Sequence, residues 1–95
     1  MKKEYIMVEG FVTYLVGRGY RLTTRSGKNS TVYSYIKAIT DVCDWEGISL
    51  ETLEDRIVEI VPRYDVGGPN EDLGSKSHRT VINALKRFKE FVQSR

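Results

Sequence analysis

Cys43 is the only cysteine among 95 residues, so no disulfide can close within the chain and a cysteine-rich metal site is excluded. His78 is the only histidine. Paired with Arg79 it suggests a catalytic couple, but with no nucleophile nearby it is poor material for acid–base chemistry. No apolar run is long enough to span a membrane and no signal-peptide pattern occurs, so a cytoplasmic protein without a membrane partner is the expectation. Gly67-Gly68-Pro69 lacks the Lys-Ser/Thr that a phosphate-binding loop needs. The acidic residues are spaced like charges on helix surfaces, so neither metal nor other cofactor is expected. Internal repeats, low-complexity tracts and linkers are also absent. Residues 1–95 therefore read as one domain, near the lower end of what folds without staples.

What is present is ordinary in amount and unusual in arrangement. Hydrophobic residues make 40% and charged residues 29%, as in common globular proteins, and the formal net charge is only +2. That balance hides a segregation. Residues 1–37 hold seven Lys/Arg against two Glu, residues 38–74 hold two Arg against ten Asp/Glu, and residues 75–95 hold six Lys/Arg against one Glu. Basic ends around an acidic middle can fold into a positive and a negative face. Such runs usually only solvate a surface. Here the basic segments also carry the Ser, Thr, Asn and Tyr residues that contact phosphates, which favours nucleic acid.

Apolar spacing predicts four helices. The first runs from Glu4 to Val16 with Tyr5, Val8, Phe11, Val12 and Leu15 on its stripe, and Gly17 with Gly19 marks its stop. Gly10 inside it costs roughly 1 kcal/mol relative to Ala. Residues 18–29 are a basic, glycine-punctuated loop, and Ser30 or Asn29 caps the second helix. Residues 31–36 have strong β-propensity, but Val32, Tyr35, Ile36, Ile39, Val42 and Cys43 keep one helical face out to Trp45. Gly47 ends that helix, and Cys43 and Trp45 are read as core. Ser49 caps the third, with Leu50, Leu53, Ile57, Ile60 and Val61 buried and Pro62 at or just beyond its end. Residues 65–74 form an exposed loop. The fourth helix starts near Ser75, with Val81, Ala84, Leu85, Phe88, Phe91 and Val92 on its apolar face and Lys76, Arg79, Asn83, Lys86 and Arg87 largely opposite.

The stretch Asn83-Ala84-Leu85-Lys86-Arg87-Phe88-Lys89-Glu90-Phe91-Val92 resembles the closing helix of the core-binding domain of tyrosine recombinases, the phage-integrase family. Ser77 stands where that family usually has Thr. In the second helix, Thr31, Tyr35, Ile39, Val42 and Trp45 fit the family's pattern of Thr, Tyr, two apolar residues and an aromatic. Two loops depart from it: residues 18–29 are longer than the usual turn, and 65–74 are long and acidic. The resemblance spans nearly the whole chain and implies an all-α, SAM-like bundle of four helices that clamps one side of duplex DNA. It also implies that the catalytic Arg/Lys/His set and the nucleophilic Tyr lie on a separate domain of the parent chain. The domain alone is then no enzyme, and tyrosines 5, 14, 20, 33, 35 and 64 are not nucleophiles. Its partners would be double-stranded DNA, that catalytic domain and other recombinase protomers on the DNA.

The residues expected at the DNA are Lys28, Ser30, Thr31, Tyr33, Ser34 and Lys37 around the start of the second helix. From the fourth come Lys76, Ser77, Arg79, Asn83 and Lys86. Helix N-termini present free amides and partial positive charge, which suits phosphate binding without base reading. Ser30, Ser75 and Ser77 also read as plain caps, and for Ser30 the cap is favoured. For Arg79, Asn83 and Lys86 DNA contact is favoured over solvation. His78 is placed at the edge of the apolar face, with phosphate contact as the second reading. The rival function is a helical protein-interaction module whose acidic middle docks a basic partner. A helix-turn-helix or winged-helix regulator is disfavoured on the ground that no short turn joins two helices.

Overall fold

The structure is a computed structural model that describes residues 2–20 and 31–94, with side chains from Ile6 onward. All regular structure among these residues is helical: α1 (Lys2–Gly17), α2 (Thr31–Glu46), α3 (Leu50–Tyr64), α4 (Glu71–Gly74) and α5 (Lys76–Ser94). The expected small helical bundle is present, with five helices in place of four. Residues 31–36 are helical, as their continuation with Ile39 and Val42 required.

α5 packs against each of the other four helices through its apolar face. Val81, Ile82, Ala84, Leu85, Phe88 and Phe91 are all buried. Phe88 meets Phe11 of α1 edge-on at 5.2 Å between centroids, and Phe91 lies 5.6 Å from the same ring. Such edge and tilted pairs add to the free energy of burial. Gly10 has its reason here. A Cβ at that position would lie 3.1 Å from the Phe91 ring, so the glycine lets α1 approach α5.

The helix ends follow local chemistry. Gly19 and Gly47 take φ of +99° and +67°, and the next residue's amide reaches back to close the helix: Tyr20 N–H to the Leu15 carbonyl and Ile48 N–H to that of Cys43, both at 3.0 Å. Ser49 Oγ accepts the Thr52 N–H at 3.1 Å, the expected cap of α3. Gly47, Ile48 and Ser49 thus form a three-residue turn between α2 and α3. A short turn does join two helices, contrary to the expectation from the sequence. The second helix of the pair, α3, carries four acidic residues against two Arg, a charge that repels phosphates.

Three further expectations change. Pro62 lies inside α3, with Arg63 and Tyr64 continuing the helix beyond it. Its ring is on an exposed turn where water can take the Val58 carbonyl that it cannot serve. The segment 65–74 contains α4, wedged against the end of α3: Asn70 N–H bonds the Arg63 carbonyl at 2.7 Å, and Gly74 is buried against Tyr64. Trp45 is 40% exposed and not core. It lies nearly parallel to Tyr64 at 6.3 Å, with Lys76 Nζ 5.5 Å from its ring centre.

The first turn of α5 is left-handed. Ser77, His78 and Arg79 have φ of 55°, 58° and 69°, and regular right-handed helix starts at Thr80. For L-residues this region costs roughly 1–2 kcal/mol each. The reversed turn also rotates His78 off the apolar face, so the histidine is exposed and not at the core edge.

Candidate nucleic-acid interface

A cleft of about 170 Å³ runs between α2 and the start of α5. Ser34, Lys37, Ala38 and Asp41 follow one another at helical spacing along α2 and form one wall, with Tyr33 at its rim. Ser77, Thr80 and Val81 of α5 form the other. Tyr33 is 54% exposed, and its neighbours Ser34 and Lys37 add a hydroxyl and an ammonium. Lys37 Nζ pairs with Asp41 Oδ2 at 2.9 Å, which raises the lysine's pKa and keeps it charged. Both partners are solvent-accessible, so the pair is weak and exchangeable. Thr31, the first residue of α2, is exposed.

The rest of the basic set lies on the α3 side of α5. Arg79 Nη2 is 3.9 Å from Asp65 Oδ1, and Lys86 Nζ is 3.5 Å from Asp65 Oδ2. Asp65 also accepts the Val66 N–H at 2.8 Å. That backbone bond first, then Lys86 and Arg79, lowers the carboxyl's pKa. Nearby, Glu46 is held from both sides: Arg63 Nη1 donates at 3.0 Å and the buried Tyr64 hydroxyl at 2.8 Å. The acidic middle and the basic end of the sequence therefore meet along the α3–α5 seam, and part of the segregated charge cancels there. Asn83 is exposed on α5 between Arg79 and Lys86.

Of the residues expected at the DNA, Tyr33, Ser34, Lys37 and Ser77 share the cleft, while Arg79 and Lys86 share Asp65. Lys76 turns to Trp45 instead. Lys28 and Ser30 lie outside the described residues. Neither Ser75 nor Ser77 acts as an N-terminal cap. Ser75 Oγ donates to the Asp72 carbonyl at the end of α4, and the Ser77 carbonyl accepts from Thr80 Oγ1. Asp41, Thr80, Asp65 and Trp45 were missed. Asp41 carried a signal, four residues after Lys37 on a helix. Asp65 carried none, because its partners are distant in sequence.

Among the described residues no three His, Cys, Asp or Glu side chains are grouped to hold a metal ion. Tyr14, Tyr35 and Tyr64 all have raised pKa values, in each case chiefly through burial, with Glu90 adding at Tyr14 and Glu46 at Tyr64. These phenols are poor candidates for activated nucleophiles. No helix among the described residues is long and apolar enough to cross a membrane. The chain matches no protein-family model, no curated protein and no solved structure.

Proposed function

We propose that the domain binds double-stranded DNA through its phosphates, along the face formed by α2 and the N-terminal half of α5. One observation carries the reading. Tyr33, Ser34 and Lys37, picked from the sequence for phosphate chemistry, line one cleft with Ser77, from a segment some forty residues away. A hydroxyl-bearing cleft with a lysine on its wall suits backbone contacts that set position without reading bases. The resemblance in α2 and α5 names the context: the core-binding module of a tyrosine recombinase or phage integrase, holding one side of the duplex while a catalytic domain of the parent chain, and other protomers, complete the assembly. On this reading the domain neither cuts nor joins DNA by itself.

Titration of a labelled duplex at low salt tests the proposal. Binding is weak, since one small domain covers part of a site, and it falls steeply as salt rises because phosphate contacts release counterions. Lys37→Glu weakens binding much more than Arg56→Glu, whose side chain pairs with Glu59 on α3. Equal losses from both variants would refute the chosen face. A second reading draws on α3, which carries Glu51, Glu54, Asp55 and Glu59 and leaves Val58 57% exposed. A wild-type domain that ignores duplex DNA at every salt concentration favours this protein-docking alternative.

A further inference from the structure

We infer that Arg79 and Lys86 form a two-cation seat for a phosphodiester, and that the Asp65 carboxylate fills the seat in the free protein. The inference rests on the nucleic-acid reading above and deepens it. Each Asp65 oxygen faces a different cation, Oδ1 towards Arg79 and Oδ2 towards Lys86. A phosphodiester presents the same pattern: one negative charge spread over two non-bridging oxygens. A guanidinium and an ammonium held to the width of a carboxylate are therefore spaced for it.

These contacts are longer than the tight pairs at Asp41, Glu46 and Glu90, and match in length only the exposed surface pair Arg56–Glu59 at 3.6 Å among the described residues. Separations of 3.5 and 3.9 Å exceed those of tight charged hydrogen bonds, roughly 2.7–2.9 Å, so neither cation is fully committed. By contrast, Arg63 on Glu46 and Arg87 on Glu90 sit at 3.0 and 2.9 Å, and a tyrosine hydroxyl also binds each of those carboxylates. The movable parts are also clear. Asp65 is tied to its own backbone through the Val66 N–H. Arg79 and Lys86 sit on long flexible stems, with side chains 51% and 38% exposed. A phosphate arriving from solvent draws both cations outward and leaves the carboxylate behind. Asn83, exposed between them, adds an amide that can donate to the same group. Asp65 thus sets a threshold: a ligand must compete with an internal anion, which weak or solitary anions do poorly.

The experiment compares Asp65→Asn with wild type. The asparagine oxygen can still accept the Val66 N–H while the charge is gone, and circular-dichroism melting checks the fold. Asp65→Ser repeats the comparison if the first variant melts early. Labelled duplex at constant low ionic strength is titrated into each protein. Asp65→Asn binds roughly fivefold more tightly, the scale of one or two exposed ion pairs released. The gain disappears when Arg79→Gln and Lys86→Gln are added. A parallel titration with inorganic phosphate separates the two sources of the anion. Tighter phosphate binding without a gain for duplex would overturn the assignment to a nucleic-acid backbone. Unchanged duplex affinity in Asp65→Asn, with Lys37→Glu still weakening binding, would overturn the seat and leave the proposed function standing. Absence of duplex binding by wild type and by Asp65→Asn would overturn both.

Discussion

Gly74→Ala probes the joint on which the α3–α5 seam depends. Gly74 is buried, and a Cβ added there would overlap the Tyr64 carbonyl oxygen, with the carbonyl carbon at 2.8 Å and the Tyr64 Cβ at 3.1 Å. The obstacle is backbone that closes α3, so no side chain can rotate away, and α4 has to move off the end of α3. Overpacking of this kind costs about 1–3 kcal/mol, and a rigid obstacle places it at the upper end. Reduced entropy of the unfolded chain returns about 0.4–1 kcal/mol for Gly→Ala. The net loss is about 2 kcal/mol, a large part of the stability of a 95-residue domain. Trp45 is the only tryptophan and stacks on Tyr64, so urea unfolding followed by its fluorescence reads the affected region directly. Gly17→Ala is the matched control, since among the described residues nothing beyond its chain neighbours and its own helix backbone lies within 4 Å of the added Cβ, and it should leave stability unchanged or slightly raised. A Gly74→Ala midpoint equal to wild type at unchanged slope would show that α4 does not press on α3 as described.

Phe88→Ala removes a ring that is 1% exposed and edge-on to Phe11, and should cost about 3–5 kcal/mol in urea unfolding. A loss below about 1 kcal/mol would contradict the described core. Stability should also fall in alkali. Tyr14, Tyr35 and Tyr64 have pKa values raised above the ordinary 10.0 in the folded state, so their contribution is fully present below pH 10. Above it the unfolded chain ionises first and the contribution is lost. Urea midpoints should hold to about pH 9 and decline beyond pH 10, less steeply in Tyr64→Phe; equal declines in the two proteins would refute the role given to Tyr64.

The long helices were legible because their determinants are local. The spacing of Val81, Ala84, Leu85 and Phe88, the Ser49 hydroxyl, and glycines at 19 and 47 act within a few residues of where they stand. α4 was not legible, since four residues hold no period. Trp45 continued the stripe of Val42 in the pattern, yet it caps the side of the bundle, where its ring can cover Tyr64 and still meet water. The candidate site was legible in composition and only partly in arrangement. Tyr33, Ser34, Lys37 and Ser77 converge because α2 and α5 pack side by side, whereas the hold of Asp65 on Arg79 and Lys86 arises from the turn after α3 and leaves no sequence mark.

The reversed turn at Ser77, His78 and Arg79 also shapes which substitutions this chain can accept. Ordinarily a helix start welcomes alanine and resents glycine. At these three positions the ranking inverts, because positive φ favours glycine and, after it, asparagine and aspartate. Valine or isoleucine at 78 would meet the steepest penalty, for a β-branched residue resists this conformation most. Sequences descended from this one should therefore drift towards small, flexible or amide-bearing residues just ahead of α5, while the helix itself keeps its aromatic face. A search tuned to unbroken helical periodicity would place their fourth long helix one turn too early.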